Sequence, residues 1–144
     1  MNVRHATPTD APTMAGLLAQ LGYQSAEDAL PARLAAIERE GGAVFVASMP
    51  DDRIVGLASA ARHATLHAGA SVAYITALVI ADEARGQGVG RSLVATVERW
   101  SRENGCTRLS VTSAEHRQGA HAFYPAIGLP YSGRRYSKQL DADA

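Results

Sequence analysis

Apolar residues recur in two periods along this chain, and the switches between them predict the order of its elements. Residues 2–6 read as a short strand, broken by Thr7-Pro8-Thr9-Asp10. Asp10 is a candidate helix cap, with Pro12 in a first turn that tolerates proline. Met14, Leu17, Leu18 and Leu21 follow at helical spacing, and Gly22 closes the run. A second helix fits 26–40, with Leu30, Leu34 and Ile37 along one face and Gly41-Gly42 as its stop. Residues 43–48 look like a buried strand, 50–53 a turn, and 54–62 the returning strand of a hairpin. The small, polar stretch 63–71 reads as a loop. Residues 72–80 then form the strongest strand signal in the chain. A helix over 91–104 carries Leu93, Val97 and Trp100 on one face, and Asn104-Gly105 ends it. Residues 108–113 alternate as a half-buried strand, with Leu109 and Val111 on one side. A last helix spans 116–127, closed by Gly128, and a final strand spans 131–140. Pro125 disfavours helical geometry at the preceding Tyr124. With no repeat or linker in view, the pattern predicts one α/β domain over 1–144 built on a mixed sheet. Its core is 2–140, and 141–144 is a frayed tail.

Composition narrows the function. The chain has 144 residues, a size that buries a sufficient core without a metal or disulfide staple. Fourteen basic and fourteen acidic side chains cancel, which argues against a nucleic-acid partner, since that needs a basic surface. Cys106 is the single cysteine, as suits a reducing cytoplasm. The first residues, Met1-Asn2-Val3-Arg4-His5, show no charged-then-apolar signal segment. No stretch approaches the roughly 20 apolar residues needed to span a bilayer. The expectation is a cytoplasmic protein with no membrane partner.

The candidate chemistry lies in Arg85-Gly86-Gln87-Gly88-Val89-Gly90, between a strand and an amphipathic helix. Glycines let backbone N–H groups approach an anion, the helix N-terminus adds a positive partial charge, and Arg85 and Arg91 bracket the loop. The spacing excludes two familiar phosphate binders. A dinucleotide fingerprint requires glycine or alanine three residues beyond Gly88, where Arg91 stands. A P-loop requires a Gly-Lys pair, and the chain has none.

The segment from Leu78 through Arg85, Gly88 and Gly90 to Leu93 resembles the coenzyme A signature of the GCN5-related N-acetyltransferases. The predicted element order resembles that family over nearly the whole chain. The resemblance implies a mostly antiparallel mixed sheet flanked by about four helices, with the fourth and fifth strands splayed. It further implies acetyl-CoA as cosubstrate. The amides of Gln87, Gly88, Gly90 and Arg91, with Gly86, Val89 and Ser92 in the same turn, would take the pyrophosphate. Exposed backbone near Leu78, Val79 and Ile80 would pair with the pantetheine arm, and Ser113 would line the thioester gap. An amine attacking a thioester needs a donor for the oxygen that gains charge, here a backbone N–H near Val79, and a proton donor for the departing sulfur. Tyr124 matches the family's tyrosine acid, and a phenol stays protonated at neutral pH with a pKa of about 10. The family's common glutamate on the fourth strand has no counterpart among Tyr74, Ile75, Thr76 and Ala77, so the base stays unassigned. Glu115, His116 or a water chain are the alternatives. Tyr23, Glu27 and Asp28, near the junction of the first two helices, are expected to touch the acceptor, as are His63 and His67.

The expected reaction is direct transfer of acetyl to a primary amine. A small molecule is the first choice of acceptor, a protein amine the second, and a homodimer is a family-level expectation. A non-catalytic acyl-CoA-binding sensor is the alternative. No metal site is expected, because His63 and His67 lack any accompanying ligand motif. Cys106 reads as a packed residue rather than a nucleophile.

Overall fold

The computed structural model describes residues 1–24, 26–111, 118–133 and 136–140, with only the backbone of 118–121. The chain divides into two compact units, 1–111 and 112–144. The first holds five strands: β1 (Asn2–His5), β2 (Ala43–Ser48), β3 (Ile54–Ala64), β4 (Ser71–Ile80) and β5 (Cys106–Val111). They stand in chain order across one sheet, antiparallel except for the parallel β4–β5 pair. That pair is parallel because a helical crossover, α3 (Val89–Glu103), joins its members. Helices α1 (Ala11–Gln20) and α2 (Leu30–Arg39) lie between β1 and β2 in the chain. The described part of the second unit contains α4 (Gln118–Ala126).

β2 is buried along its whole length, and Val46, Val55, Val89, Leu93, Val94 and Val97 form the most enclosed part of the core. The even-numbered positions of β3 face α3. A Cβ built on Gly56 would lie 2.9 Å from Val89 Cγ1 and 3.0 Å from Leu93 Cδ1. Six residues along, Arg62 donates to the Asn104 carbonyl oxygen at the far end of α3 (3.2 Å). Ala61 and His63 therefore occupy the opposite face.

Two irregularities shape β4. Ser59 pairs with Ala77 but Ala60 pairs with Ile75, which leaves Thr76 as the extra residue of a bulge, its hydroxyl donating to the Ser59 carbonyl oxygen (3.1 Å). The described β4–β5 ladder ends at Ile75↔Val111, beside that bulge. A bulge sharpens local twist, and this one lies next to the last described β4–β5 pair.

Some sequence expectations are corrected. Asp10 is the N-cap residue of α1, as expected, but its side chain makes no capping bond to that helix. A 3-10 turn, Pro8–Asp10, precedes the helix, and the Asp10 carboxylate accepts from the Thr7 N–H (2.8 Å) and from both Arg4 guanidinium nitrogens (2.8 and 2.9 Å). Pairing to Arg4 is the stronger demand on a carboxylate whose side chain is only 8% exposed. The loop expected over 63–71 shrinks to 65–70, because β3 and β4 pair out to Ala64↔Ser71 and the Thr65 hydroxyl closes the tip onto the Ala70 carbonyl (2.6 Å). The strand expected over 131–140 does not form in its described residues, 131–133 and 136–140. Tyr131, Tyr136 and Leu140 are strongly exposed. Tyr136 and Leu140 would share a strand face only with Lys138 between them, and Tyr131 would fall on the other, so no apolar face exists to bury. Helix α4 continues through Pro125 despite its effect on Tyr124. Near a helix end the proline removes one bond, and the Tyr124 carbonyl still accepts from Leu129 (2.9 Å).

The Arg4 hydrogen bonds, and then the Thr7 N–H, hold the Asp10 carboxyl below its ordinary value of 3.8 despite burial. A folded-state value below the unfolded one stabilises the fold above that pH, and the gain is lost as pH falls through the folded value. Asp10→Ala should therefore lower stability by about 1.5–3 kcal/mol at neutral pH. In urea unfolding, its deficit relative to wild type should shrink as the medium is acidified below 3.8.

Candidate active site

The turn after β4 places backbone donors with little help from side chains. Asp82–Ala84 form a 3-10 turn, and Arg85 leads into Gly86 and Gly88, which adopt left-handed φ of +78° and +83°. Those values favour glycine, and a Cβ at either position would meet no atom within 4 Å. The two glycines thus serve conformation, and the space above them is open to a ligand. Gly88 is the N-cap of α3, and the first intrahelical bond runs from the Ser92 N–H to the Gly88 carbonyl (3.0 Å). The N–H groups of Val89, Gly90 and Arg91 precede that bond and are unused by the helix. The helix starts two residues before the expected Arg91, which brings Val89 and Gly90 into its first turn.

Val89 and Gly90 are buried, whereas Arg85, Gln87 and Arg91 are exposed and Ser92 is half-buried. Arg85 pairs with Asp82 (3.2 Å) in solvent, and the Gln87 amide donates to the Glu83 carbonyl (3.2 Å). The anchor inside is Val89, 1% exposed, seated with Leu93 against Gly56. A glycine inside a strand pattern is the sequence signal for such close approach, and Gly56 was passed over.

On β4, Val79 is buried and Leu78 and Ile80 are half-buried. The Ala81 N–H donates to the Val55 carbonyl (2.8 Å), which fixes the alternation of the β3–β4 ladder. The backbone groups of Val79 then face β3, while those of Leu78 and Ile80 face the other way, where no described strand pairs with them. Leu78 and Ile80, rather than Val79, carry the backbone donors directed away from β3.

Other candidates are scattered. Tyr23 is exposed after α1, and Glu27 and Asp28 lie exposed in the 3-10 turn Glu27–Ala29 before α2. His67 is exposed in the 65–70 tip. His63 belongs to β3, with its ring 5.4 Å from that of Tyr74 on β4. Tyr74 is 40% exposed in the middle of the sheet, a position the sequence considered only as a missing carboxylate. Ser113, Glu115 and His116 lie outside the described residues. In the second unit, Tyr124 and Phe123 are half-buried on α4 with an edge-on ring contact (5.3 Å). Burial pushes the Cys106 thiol up, against a smaller opposing effect of Arg62, so it is a poor nucleophile. Among the described residues, no group of three His, Cys, Asp or Glu could hold a metal, and no helix is long and apolar enough to cross a membrane.

The sequence pattern of the Acetyltransferase (GNAT) family matches residues 13–129. The chain is 33% identical to the aminoglycoside N(6')-acetyltransferase type 1 of Stenotrophomonas maltophilia, over 92% of this chain and 88% of that protein. It is 27% identical to the aminoalkylphosphonate N-acetyltransferase of Salmonella typhimurium, over 96% and 90% respectively. A crystal structure of a Trypanosoma brucei acetyltransferase superposes with a TM-score of 0.82 at 25% identity, over 96% of this chain and 99% of that one. The chain belongs to the GNAT acetyltransferase family, and its mixed sheet of five described strands with four helices is that family's fold.

Because Gly56 lets α3 seat its first turn, Gly56→Val should push Val89 and Leu93 outward. We expect a stability loss of about 1–3 kcal/mol in urea unfolding, the usual range for overpacking a core.

Proposed function

We propose that the protein transfers the acetyl group of acetyl-CoA to a primary amine of a small molecule in the cytoplasm. The observation that carries this reading is the conjunction of two backbone surfaces that no described strand or helix bond uses. One is the first turn of α3 with Gly86 and Gly88 before it, and the other is the outward edge of β4 at Leu78 and Ile80. A diphosphate suits the first, since N–H groups and the helix dipole both favour an anion there. A chain of amides suits the second, as an added strand would. Acetyl-CoA carries both groups, and when bound it supplies an activated acetyl at the end of the arm.

Val89, Gly90 and Arg91 N–H groups, with Gly86, Gln87, Gly88 and Ser92 around them, then hold the diphosphate, and Arg85 and Arg91 add charge. The N–H of Leu78 or Ile80, whichever the arm leaves unused, stabilises the carbonyl oxygen as the amine nitrogen adds and the carbon–sulfur bond breaks. Tyr124 is the proposed donor of the proton that the departing sulfur takes. Tyr23, Glu27, His63, His67 and Glu115 are proposed acceptor contacts, and Ser113 a lining residue. The named relatives act on aminoglycosides and on aminoalkylphosphonates, which supports a small-molecule amine over a protein amine.

Calorimetric titration should show saturable acetyl-CoA binding by the wild type and none by Gly88→Glu. Gly69→Glu is the control. Gly69 also has a left-handed φ (+67°) and open space, so it bears the same backbone cost and charge outside the loop. Wild-type coenzyme affinity in Gly69→Glu with loss in Gly88→Glu is the expected pattern. Equal binding by all three would remove the diphosphate from this loop. Tyr124→Phe should lower kcat by about 10²-fold with coenzyme affinity intact. Binding without turnover of any amine would instead favour a sensor of acyl-CoA.

A further inference from the structure

The five described strands contain no Asp or Glu, yet they carry Arg4, His5, Arg62, His63 and Arg108. Two of the three arginines are engaged, Arg4 by Asp10 and Arg62 by the Asn104 carbonyl oxygen. Arg108 is exposed and makes no ion pair or side-chain hydrogen bond with any described residue.

Its position follows from the β4–β5 register. Ser71 pairs with Cys106 and Ala73 with Leu109, so Thr107 and Arg108 together oppose Val72. Cys106 is buried and Leu109 half-buried on the α3 side, whereas Thr107 and Arg108 are both exposed. The bulge therefore turns these two onto the face away from α3. His63 shares that face, and its strand partner is the same Val72. Tyr74 lies two residues on, within ring contact of His63 and paired with Ser110. A guanidinium, an imidazole and the hydroxyls of Tyr74, Thr107 and Ser110 thus converge on neighbouring positions of three adjacent strands.

We propose that this cluster holds the phosphorus oxyanion of the acceptor, which is a primary amine bearing a phosphonate or phosphate group. The inference rests on the acetyl-transfer reading above. Arginine suits such a group because its planar fork donates two bonds to one oxyanion, and the hydroxyls complete the set. A polycationic acceptor would meet Arg108 across a sheet with no strand carboxylate to receive it. The location is also suitable. Arg108 opposes Val72, six residues before Leu78, about 20 Å of strand. The acceptor that joins them is therefore an extended amine with its phosphorus group and its amino group at opposite ends, and the arginine side chain covers part of the distance.

The test measures initial rates of acetyl-CoA consumption by the full chain with an aminoalkylphosphonate, an amino-sugar phosphate and an aminoglycoside. One of the two phosphorus-bearing amines should give the highest kcat/KM, and which one does so tells an alkyl from a sugar source. Arg108→Ala should raise KM for that amine about tenfold or more, as loss of a charge-assisted bond does. It should leave kcat and the calorimetric Kd for acetyl-CoA unchanged, and Arg108→Lys should restore part of the loss. A preference for the aminoglycoside, an unchanged KM in Arg108→Ala, or acetyl-CoA binding without turnover of either phosphorus-bearing amine would each overturn the proposal while the coenzyme site stands. Absence of acetyl-CoA binding by the wild type would overturn the transfer reading and this proposal with it.

Discussion

Helix α3 lies so close to β3 that one methyl group at Gly56 would overlap Val89 and Leu93. The rest of the molecule depends on that approach. Val89, Leu93 and Val97 are almost wholly buried and recur at helical spacing, so the helix is fixed along its length rather than at one point. With its inner face held, the first turn of α3 ends at a defined height above the sheet. The left-handed glycines, Gly86 and Gly88, then reverse the chain while keeping the N–H groups directed outward. A rigid scaffold beneath a glycine turn makes a donor array pre-organised, which is what anion recognition requires.

Strand β4 supplies the second element by a different device. Its bulge at Thr76 falls beside the last β4–β5 pair, and the residues beyond it pair only with β3 among the described residues. The Thr76 hydroxyl is committed to the Ser59 carbonyl oxygen, so it steadies the bulge. Backbone chemistry thus dominates the proposed coenzyme site, while side chains dominate the charged face around Arg108. Pockets built from side chains vary on a constant scaffold, and the named relatives act on amines as different as aminoglycosides and aminoalkylphosphonates.

Most of the fold was legible in the sequence because the core elements carry strong periodic signals. β2 is found at the expected residues, and α3 and β3 differ from expectation only at their ends. Where the reading failed, a non-local partner or a missing face decided the outcome. Asp10 was drawn to Arg4, six residues upstream, in preference to the end of α1. His63 was placed in a loop because its polar neighbours hide the pairing that extends β3. The region 131–140 has two tyrosines and a leucine but no apolar face, since Lys138 stands between Tyr136 and Leu140 and Tyr131 falls on the other side. At the candidate site, the glycine spacing marked the turn before α3 as a special conformation, and Gly86 and Gly88 adopt left-handed φ there. It gave no hint of the β4 bulge, which shows only in the β3–β4 register, or of the β4–β5 register that sets Thr107 and Arg108 opposite Val72, since neither leaves a mark in the pattern of one strand.

The central claim is that a ligand is gripped by backbone at two places, the first turn of α3 and the outer edge of β4. Amide hydrogen exchange read residue by residue, with and without saturating acetyl-CoA, addresses it most directly. The account predicts slowed exchange at Val89, Gly90 and Arg91 and at one or both of Leu78 and Ile80, with Val79 unchanged because its N–H already faces β3. Protection absent from both segments, or confined to regions outside them, would contradict it.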